Sequence, residues 1–436
     1  MIRVALSASV IQRGKSGVAS YVFGLLDGLR AIDPPIDLTL LGFEEDHPLF
    51  DKWLDRVSWQ PVAEKWRPAV RNILWHHTHL PKLLKELRID VLHIPSYRRI
   101  VWNPPAAQVV TIHDCAAFAV RGKYDAARMF YGRHVVSRLA RGADAVMTVS
   151  EATAADVARY FKIPNARVIW NGIDHEQFRP LPPARVASTL ATSFRQARPY
   201  FLYLARLEHP GKNHLRLIEA FERFVEAHPG RAEDLIFGGA DWHGSEAIHQ
   251  RIGASPCRDR IRSLGFVSKS DLAVLYGGAT AMVYPSLFEG FGLPPIEAMA
   301  CGCPVISSPR GSLREVVGDA AHLIDPEDIA DMAAGLAAAP VTPADREIWR
   351  SRGIRHAARF HWEDAARAVV DIYRAAVRGT PQSDSEAIPG EKSRGRRPKT
   401  ALGLRECVII PLAVENEAKM TIRSPSLLWH YSPTTR

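Results

Sequence analysis

The chain has 436 residues, 47% of them hydrophobic and 24% charged, so it is long enough for two or three domains with separate cores. Its formal net charge of +9 favours a partner that carries phosphate, and because RRM, KH, zinc-finger and helix-turn-helix patterns are all missing we expect no nucleic-acid partner. The sequence contains no run of 18 apolar residues, so we expect no membrane-spanning helix. Its five cysteines lack zinc spacing and its N-terminus lacks a signal-peptide pattern, which together predict a protein of the reducing cytoplasm.

Short apolar runs alternate with amphipathic segments along the N-terminal half, which predicts a parallel sheet covered by helices on both faces. The predicted strands are 3–8, 37–42, 91–95, 108–113, 145–149 and 167–171. Because ligands of such a sheet bind at the carboxyl ends of its strands, functional residues should directly follow strands.

The loop after the first strand contains Gly14-Lys15-Ser16, which suggests a Walker phosphate loop. That motif needs a glycine five residues before Gly14, and Ser9 stands there, so we reject it. A GxGxxG fingerprint for dinucleotides is also missing. Gly14 and Gly17 then form either a plain glycine turn or a loop that a ligand can approach closely.

Residues 65–88 carry six lysines and arginines but one acidic residue, and Trp66 and Trp75 lie among them. A basic, aromatic and partly amphipathic segment can lie on an anionic membrane surface, at the inner face of the plasma membrane. The same pattern fits a solvated helix that packs on the sheet. Both interpretations remain open.

Two later strand ends of this half carry polar residues. His113-Asp114 ends the fourth predicted strand, where a histidine can hydrogen-bond a sugar or exchange a proton near neutral pH, although a lone histidine is usually structural. Ser150 follows the fifth strand and is a good N-cap residue for a helix over 151–161.

The proline-rich, polar stretch at 181–198 predicts a linker, and a second alternating series begins with a strand at 200–205. Arg206 ends that strand, and Gly211-Lys212-Asn213 opens a helix over 214–227. Two cations and a helix N-terminus at one strand end suit phosphate, since arginine can fork onto phosphate oxygens and lysine adds a point charge. Residues 264–267 end a further strand, and 322–325 form the last one.

The stretch 281–306 reads as strand, loop, helix, turn and strand. A buried strand precedes Phe288-Glu289-Gly290-Phe291-Gly292, and Pro294 and Pro295 stand where a helix opens. A loop and a helix N-terminus after a parallel strand form an anion site. We expect Glu289 before the helix and Glu297 in its first turn, so both can face one cleft, although a first-turn glutamate is also ordinary helix chemistry.

The string EGFGLPPIE at residues 289–297 resembles, without a gap, the signature of the retaining glycosyltransferases of family 4, or glycosyl transferases group 1. The resemblance extends over nearly all of residues 1–378. It implies an α/β protein of the GT-B fold, with two Rossmann-like, doubly wound parallel-sheet domains that face a central cleft. In that family the glutamate at Glu289 contacts the donor sugar, and the one at Glu297 contacts the ribose hydroxyls of the nucleotide.

The resemblance also implies roles for positions outside this string. The histidine of the family's His-Asp strand end contacts the donor sugar, two cations after the first strand of the second domain hold the diphosphate, and a later strand end faces the base. The implied catalytic residues are Glu289, His113, Arg206 and Lys212. The implied donor-binding residues are Gly14, Gly17, Arg206, Lys212, Phe266, Val267, Glu289, Gly290, Phe291, Gly292, Leu293 and Glu297.

Domain boundaries follow from the alternation of strands and helices together with the resemblance. We expect an N-terminal acceptor-side domain at 1–180, a linker at 181–198, a C-terminal nucleotide-sugar-binding domain at 199–355, helices that cross back to the N-terminal domain at 356–378, and a tail at 379–436. The tail is polar, with a basic run and no clear periodicity, which predicts disorder apart from one short apolar strand near 408–414.

The resemblance implies a transferase that moves a sugar from a nucleotide-sugar donor with retention of configuration, without a cofactor. No Asp-x-Asp motif occurs, which agrees with a metal-independent enzyme in which Arg206, Lys212 and helix dipoles neutralise the leaving diphosphate. We expect mannose from GDP-mannose first, and a glycan or lipid-linked acceptor in surface polysaccharide synthesis. The alternatives are a nucleotide-sugar epimerase of similar fold and a non-catalytic protein that binds nucleotide sugar or membrane.

Overall fold

The computed structural model describes residues 1–119 and 131–379, which form two parallel β-sheets surrounded by helices. The first sheet has seven strands in the order β3-β2-β1-β4-β5-β6-β7, and the second has six in the order β10-β9-β8-β11-β12-β13. Every strand pair in both sheets is parallel. The predicted pair of α/β domains with parallel sheets is therefore confirmed.

The strands of the first sheet are β1 (Ile2–Ser7), β2 (Ile36–Phe43), β3 (Ser58–Val62), β4 (Val91–Ile94), β5 (Ala107–Ile112), β6 (Ala145–Thr148) and β7 (Arg167–Val168). Those of the second are β8 (Tyr200–Leu204), β9 (Asp234–Gly238), β10 (Ile261–Ser263), β11 (Ala281–Tyr284), β12 (Val305–Ser307) and β13 (His322–Leu323).

The described α-helices are α1 (Gly17–Ile32), α2 (Ala69–Thr78), α3 (Leu80–Glu86), α4 (Ala116–Ala119), α5 (Ser137–Ala140), α6 (Glu151–Phe161), α7 (Pro183–Ser193), α8 (His214–Ala227), α9 (Ser245–Gly253), α10 (Lys269–Gly278), α11 (Leu293–Ala300), α12 (Leu313–Val317), α13 (Ile329–Ala337), α14 (Pro343–Ala357) and α15 (Trp362–Arg378). Short 3₁₀ segments lie at Ala8–Val10, Glu44–Trp53, Glu64–Trp66, Tyr97–Arg99, Arg258–Arg260 and Gly318–Ala320, and a π-helical segment at Tyr131–Val136.

Two strands of the sheets were not predicted, and one was placed differently. β3 has the sequence SWQPV, whose proline and polar residues suit the edge position that it occupies beside β2. β9 is a short, fully buried run that pairs with β8. β10 ends at Ser263, so residues 264–267 form the loop after the strand and do not end the strand itself.

Alternate residues of the first sheet face two separate cores, as a parallel sheet with helices on both faces requires. Val4 and Leu6 belong to one core, which α1 and α15 cover, whereas Ala5 between them belongs to the other, which α2, α3 and α6 cover. The second sheet lies in one large core, in which all five residues of β8 are buried.

Helix α15, near the end of the described chain, packs on α1 in the first domain. Trp362, Ala366 and Tyr373 are buried in the core of that domain. A Cβ atom at Gly24 would lie 1.9 Å from the Trp362 ring, and one at Gly28 would lie 2.2 Å from the Trp362 carbonyl oxygen. The two glycines of α1 thus let the helices approach closely.

The stretch 181–198, which was expected to be a linker, contains helix α7. Pro182 and Pro183 stand at its N-cap and first position, where proline costs no hydrogen bond, and Val186 and Leu190 are buried one turn apart. The predicted tail lies outside the described residues, apart from Gly379. In the described ranges, no helix combines the length and apolar character needed to cross a bilayer.

Candidate active site

The candidate site lies where loops from the carboxyl ends of both sheets meet. Gly290, in the loop after β11, contacts three residues that follow strands of the first sheet. Its carbonyl accepts hydrogen bonds from Ser150 Oγ at 2.8 Å and from Thr153 Oγ1 at 3.1 Å. A Cβ atom at Gly290 would lie 1.8 Å from the carbonyl oxygen of His113. The predicted crevice between the domains therefore places His113 and the Glu289 loop side by side.

Glu289 and Lys212 form an ion pair at the centre of this region. Lys212 Nζ lies 2.6 Å from Glu289 Oε1, which also accepts a hydrogen bond from the Tyr284 hydroxyl at 2.9 Å. Both charged side chains are more than four-fifths buried. Burial alone would raise the pKa of Glu289, but the charge and hydrogen bonds of its partners outweigh it and lower the pKa below its usual value. Glu289 is therefore an ionised carboxylate at neutral pH.

The loop that carries Lys212 is fastened to the loop that carries Glu289. Asn213 adopts a left-handed backbone with φ of 62°, and its side-chain amide donates to the carbonyls of Pro285 at 3.1 Å and Pro326 at 2.6 Å. Leu287 N donates to the Gly211 carbonyl at 3.1 Å. These bonds connect the loop after β8 with the loops after β11 and β13, so backbone contacts help to position the ion pair.

Arg206 lies at the same strand end but is more open to solvent. Its guanidinium donates to Glu208 Oε2 at 3.2 Å and lies 4.7 Å from the centre of the Trp242 ring. The Arg206 side chain is 42% exposed, against 17% for Lys212. At this strand end, Lys212 is therefore the more buried cation and Arg206 the more exposed one.

Glu297 is held differently from Glu289. It lies in the second turn of α11 and not in the first turn as expected, because the helix begins at Leu293. Its Oε2 accepts a hydrogen bond from the Tyr276 hydroxyl at 3.0 Å. Burial raises the pKa of Glu297 to about 7, against the effects of that hydrogen bond and of Lys269. Glu297 therefore keeps its proton to a higher pH than Glu289 does.

His113 is neutral, and its hydrogen bond to the Pro95 carbonyl determines its tautomer. Burial lowers the pKa of His113 to about 4, although the charge of Asp114 opposes the shift. Its Nε2 lies 3.0 Å from the Pro95 carbonyl, which can only accept, so Nε2 carries the proton. His113 Nδ1 then has an open lone pair, and no hydrogen bond to Nδ1 is formed within residues 1–119 and 131–379.

The glycine-rich loop after β1 reaches the opposite domain through Lys15. Lys15 Nζ lies 5.8 Å from the centre of the Phe266 ring, and Phe266 is 65% exposed. Gly14 has a left-handed backbone with φ of 78°, and Gly17 begins α1 with open space around its Cα atom. Val267, next to Phe266, is half-buried.

Residues 291–293 lead from the loop into helix α11. The Phe291 side chain is buried and its ring centre lies 6.0 Å from that of Phe360, so a ligand can reach only the Phe291 backbone. Gly292 is the N-cap with φ of 101°, a value that favours glycine, and Leu293 is the first helical residue. This geometry turns the backbone sharply from Glu289 into the helix that carries Glu297.

A carboxylate that the sequence did not single out joins the two domains. Glu315 in α12 accepts from the backbone amides of Glu151 at 2.9 Å and Ala152 at 3.1 Å, at the N-terminus of α6. Those amides have no partner within their own helix, and the helix dipole favours a negative charge there. Ser150, expected as the N-cap, does cap α6 by accepting from Thr153 N at 3.0 Å, and it also donates across to Gly290.

Sequence reasoning therefore missed Glu315 and the positioning residues Asn213, Tyr284 and Tyr276. Asn213 directly follows Lys212 at a helix start, which was a usable signal for a capping residue. The others appear in sequence as ordinary strand or helix residues, and only the tertiary structure brings them to the site. In the described part of the chain, no group of three His, Cys, Asp or Glu side chains is arranged to hold a metal ion.

Comparison with known proteins identifies the family. The model for glycosyl transferases group 1 matches residues 191–356, and the model for glycosyltransferase family 4 matches residues 15–177. The chain is 31% identical over 267 residues to the O-antigen chain mannosyltransferase B of Escherichia coli, over 61% of this chain and 70% of that protein.

Solved structures show the same architecture at low sequence identity. Sucrose-phosphate synthase from Thermosynechococcus elongatus superposes with a TM-score of 0.70 at 19% identity, over 87% of this chain and all of that chain. Anabaena HepE in complex with UDP-glucose gives a TM-score of 0.65 at 18% identity, over 86% of this chain and all of that chain. These likenesses support the expected GT-B fold. Together with the sequence matches, they show that the chain belongs to the glycosyl transferases group 1, glycosyltransferase family 4, and is a transferase enzyme.

Proposed function

We propose that this enzyme transfers a hexose from a nucleotide-sugar donor to a glycan or lipid-linked acceptor in polysaccharide synthesis, with retention of configuration and without a metal ion. The observation that carries the proposal is the Lys212–Glu289 ion pair, 2.6 Å long, in the crevice between the two domains. The E. coli relative is named as an O-antigen chain mannosyltransferase, which supports mannose as the first sugar to test.

The donor diphosphate is assigned to the cations at the end of β8. Arg206 is exposed enough to meet the incoming nucleotide, and Lys212 lies deeper beside Glu289. As the bond between sugar and diphosphate breaks, negative charge grows on the leaving oxygens, and fixed cations stabilise that charge without reorganising. Glu289 already orients the Lys212 side chain, so donor binding loses little side-chain conformational entropy at this residue.

The sugar is assigned to Glu289 and His113, which lie on neighbouring loops across the crevice. Glu289 is an ionised acceptor for sugar hydroxyls, and the open Nδ1 of neutral His113 is a second acceptor. Two such acceptors fix the ring relative to the diphosphate. Glu289 is tied by Lys212 and Tyr284, so we assign it to orientation and not to nucleophilic attack.

The transfer step then needs no protein nucleophile. The acceptor hydroxyl oxygen forms its bond to the anomeric carbon on the face from which the diphosphate leaves. The carbon–oxygen bond to the diphosphate breaks with its electron pair on the phosphate oxygen, and that oxygen takes the proton of the acceptor hydroxyl. Configuration is retained because attack and departure share one face. Closure of the domains around Gly290 excludes water, whose attack would hydrolyse the donor.

The ribose is assigned to Glu297 and the base to the loop at Phe266 and Val267. A carboxylate can accept from both ribose hydroxyls, and the bond from Tyr276 fixes its position. Phe266 is an exposed aromatic side chain on which a base can stack.

The donor is best identified by a thermal-shift panel of nucleoside diphosphates and nucleotide sugars, with and without a chelator. Ligands that bind the native state raise the melting temperature by mass action. We expect a shift with GDP-mannose that the chelator does not change. A shift with UDP-glucose alone would replace mannose as the assigned sugar, and a shift that the chelator abolishes would contradict the metal-free mechanism. Release of nucleotide with an altered free sugar would favour the epimerase alternative.

We also propose that α2 lies against an anionic membrane surface. Val70 and Leu74 are one turn apart and are 50% and 51% exposed, and Arg71 beside them is exposed. Lys82 and Lys85 of α3 are exposed as well. An apolar pair bordered by cations suits the interface of anionic lipids.

Co-sedimentation with phosphatidylglycerol-containing vesicles tests the membrane surface. We expect binding to fall when Val70 and Leu74 are both changed to serine, and to survive the matched change Ile348→Ser, at an exposed apolar residue of α14. Equal vesicle binding by all variants, or no vesicle binding by the wild type, would contradict the proposal.

A further inference from the structure

Arg99 lies in the loop after β4, close to the candidate sugar-binding histidine. The loop also contains Pro95, whose carbonyl accepts from His113 Nε2 at 3.0 Å. Because β4 and β5 are neighbouring parallel strands, this loop opens on the crevice at their carboxyl ends. Neither the sequence patterns nor the transfer step described above uses Arg99.

Arg99 is a partly buried cation whose hydrogen bonds go to neutral groups. Its Nε donates to the Asn72 side-chain oxygen and its Nη1 to the Arg98 carbonyl at 3.3 Å. Its Nη2 makes no hydrogen bond with residues 1–119 or 131–379, yet it is not among the buried atoms that lack a partner, so it faces accessible space. Within the same residues no carboxylate oxygen lies within 4 Å of the guanidinium.

The polar groups beyond Asn72 do not supply a negative charge either. Asn72 donates to Ser9 Oγ at 3.4 Å, and Ser7 Oγ lies 2.9 Å from His76 Nε2. Burial lowers the pKa of His76 to about 3, so this histidine is neutral. Arg99 thus ends a buried network of neutral side chains with its positive charge uncompensated.

Burial of Arg99 therefore has a cost that the described chain does not offset. Burial is the main reason why the pKa of Arg99 falls to about 10; Tyr131 opposes the shift and the charge of Arg98 adds to it. A partly buried charge without a counterion is unusual, because its loss of hydration costs free energy and no attraction to an opposite charge offsets that cost. An anionic ligand would remove the imbalance.

Tyr131 supplies a second donor at the same place. It begins the π-helical segment Tyr131–Val136, which is in contact with the segment Tyr97–Arg99. Burial raises the pKa of the Tyr131 hydroxyl, and the positive charges of Arg99 and Arg98 oppose that shift. The hydroxyl makes no hydrogen bond with described residues and, like Arg99 Nη2, is not among the buried atoms without a partner.

We propose that Arg99 Nη2 and the Tyr131 hydroxyl bind an anionic oxygen group, a phosphate or a carboxylate, on the acceptor substrate. A guanidinium and a phenol on two contacting segments, each with a donor that no described residue uses, match the oxygens of such a group. The site lies in the first domain, beside His113, whereas the cations assigned to the donor diphosphate follow β8 in the second domain. The inference rests on the proposed transferase function and narrows its acceptor to an anionic one.

The test measures anion binding while the donor site is occupied. The full chain is saturated with the nucleoside diphosphate that gives the largest thermal shift, so that added anions cannot bind Arg206 and Lys212. Inorganic phosphate, glucuronate and a short-chain prenyl phosphate are then titrated in turn by calorimetry. The variants are Arg99→Gln, Arg99→Lys and Tyr131→Phe, with Arg56→Gln as the matched control. Arg56 pairs with Asp33 before the amino ends of β2 and β3, whereas Arg99 follows the carboxyl end of β4.

We expect at least one anion to bind the wild type, with affinity reduced roughly tenfold or more in Arg99→Gln and less in Arg99→Lys and Tyr131→Phe. Arg56→Gln should bind like the wild type. A prenyl phosphate that binds at least tenfold tighter than inorganic phosphate would identify a lipid-linked phosphate, and glucuronate as the tightest ligand would identify an acidic sugar.

Equal anion affinity in Arg99→Gln and the wild type, or no anion binding by the wild type, would overturn the inference. Nucleoside diphosphate affinity is measured in the same samples and should not change in any variant. If the wild type binds no nucleoside diphosphate, the proposed function itself fails, so the two failures are distinguishable. Because Tyr131→Phe keeps the bond from Arg99 to Asn72, it tests the subsite even if Arg99→Gln unfolds.

Discussion

The two sides of the crevice handle charge in opposite ways. On the second domain, Lys212 and Glu289 are both ionised and compensate each other at 2.6 Å. On the first domain, His76 and His113 are neutral because burial lowers their pKa values to about 3 and about 4, and the Arg99 cation has no counterion in the described residues. Under the proposed function, fixed and paired charges suit the breaking diphosphate bond, whereas neutral histidines beside one unpaired cation suit an acceptor that carries an anionic group.

The largest effect on activity should follow from removing the Lys212–Glu289 ion pair of the second domain. Glu289→Gln removes the partner of a buried lysine and an acceptor for the sugar, so we expect kcat to fall roughly 100-fold or more. Donor affinity should change less, because the assigned diphosphate cations remain. Steady-state kinetics measure this, with Glu44→Gln at an exposed glutamate as the control. A variant with near wild-type kcat would remove Glu289 from the assigned site.

The second largest effect on activity should follow from pushing the two domains apart at Gly290. In Gly290→Ala the added methyl would meet the His113 carbonyl at 1.8 Å, so the domains cannot close as they do here. We expect kcat/KM to fall roughly tenfold or more and the unfolding free energy to fall by about 1–3 kcal/mol. Kinetics and denaturant titration report the two losses. Gly253→Ala, where a methyl group meets open space, should behave like the wild type.

A pH series should show that Glu297 acts differently from Glu289. Its folded pKa of about 7 exceeds the unfolded value, so the folded state retains a proton and loses stability as pH rises from about 4.5 to about 7. Glu297→Gln cannot lose a proton, so its melting temperature should exceed that of the wild type above pH 7 and match it near pH 4.5.

Donor binding should respond to pH in the opposite direction. The ionised Glu297 accepts from the ribose, so wild-type donor affinity should rise through pH 7, and Glu297→Gln should bind more weakly without that rise. Identical pH profiles for the two proteins, in stability and in donor affinity, would contradict the assigned role.

The smallest effect should come from the contact between the domains at the start of α6. Glu315→Gln keeps one acceptor but replaces the other with an amide that cannot accept from Ala152 N. We expect a loss of about 1–2 kcal/mol in unfolding free energy and a moderate rise in donor KM with little change in kcat. Glu151→Gln, at the exposed first residue of α6, is the control. A fall in kcat without a change in KM would show that Glu315 has another role.

The sequence predicted the parts of this architecture that depend on local order. Glu289, Gly292 and Glu297 lie in one contiguous string, and strand, turn and helix chemistry places them together without knowledge of the rest of the chain. The helix at 214–227 was predicted from Gly211-Lys212-Asn213 before it, and the structure has a helix with those bounds. The family resemblance then supplied the two-domain arrangement.

What the sequence could not predict depends on contacts between distant segments. Glu315 caps a helix 164 residues away in the chain, and nothing near it in sequence signals that role. Arg99 is one of many arginines, and only the tertiary structure shows that no carboxylate among residues 1–119 and 131–379 pairs with it. The edge strand β3 contains Pro61, and an isolated proline argues against a strand until the sheet edge is known.

The contact of α15 with Gly24 and Gly28 has a consequence for how the protein is made. The first domain is discontinuous, since Trp362, Ala366 and Tyr373 complete a core that begins with Val4 and Leu6. A nascent chain on the ribosome cannot finish this domain until nearly the whole described sequence has been synthesised. A truncation after residue 180 would leave the α1 face uncovered and apolar, so such a fragment should need chaperones or aggregate.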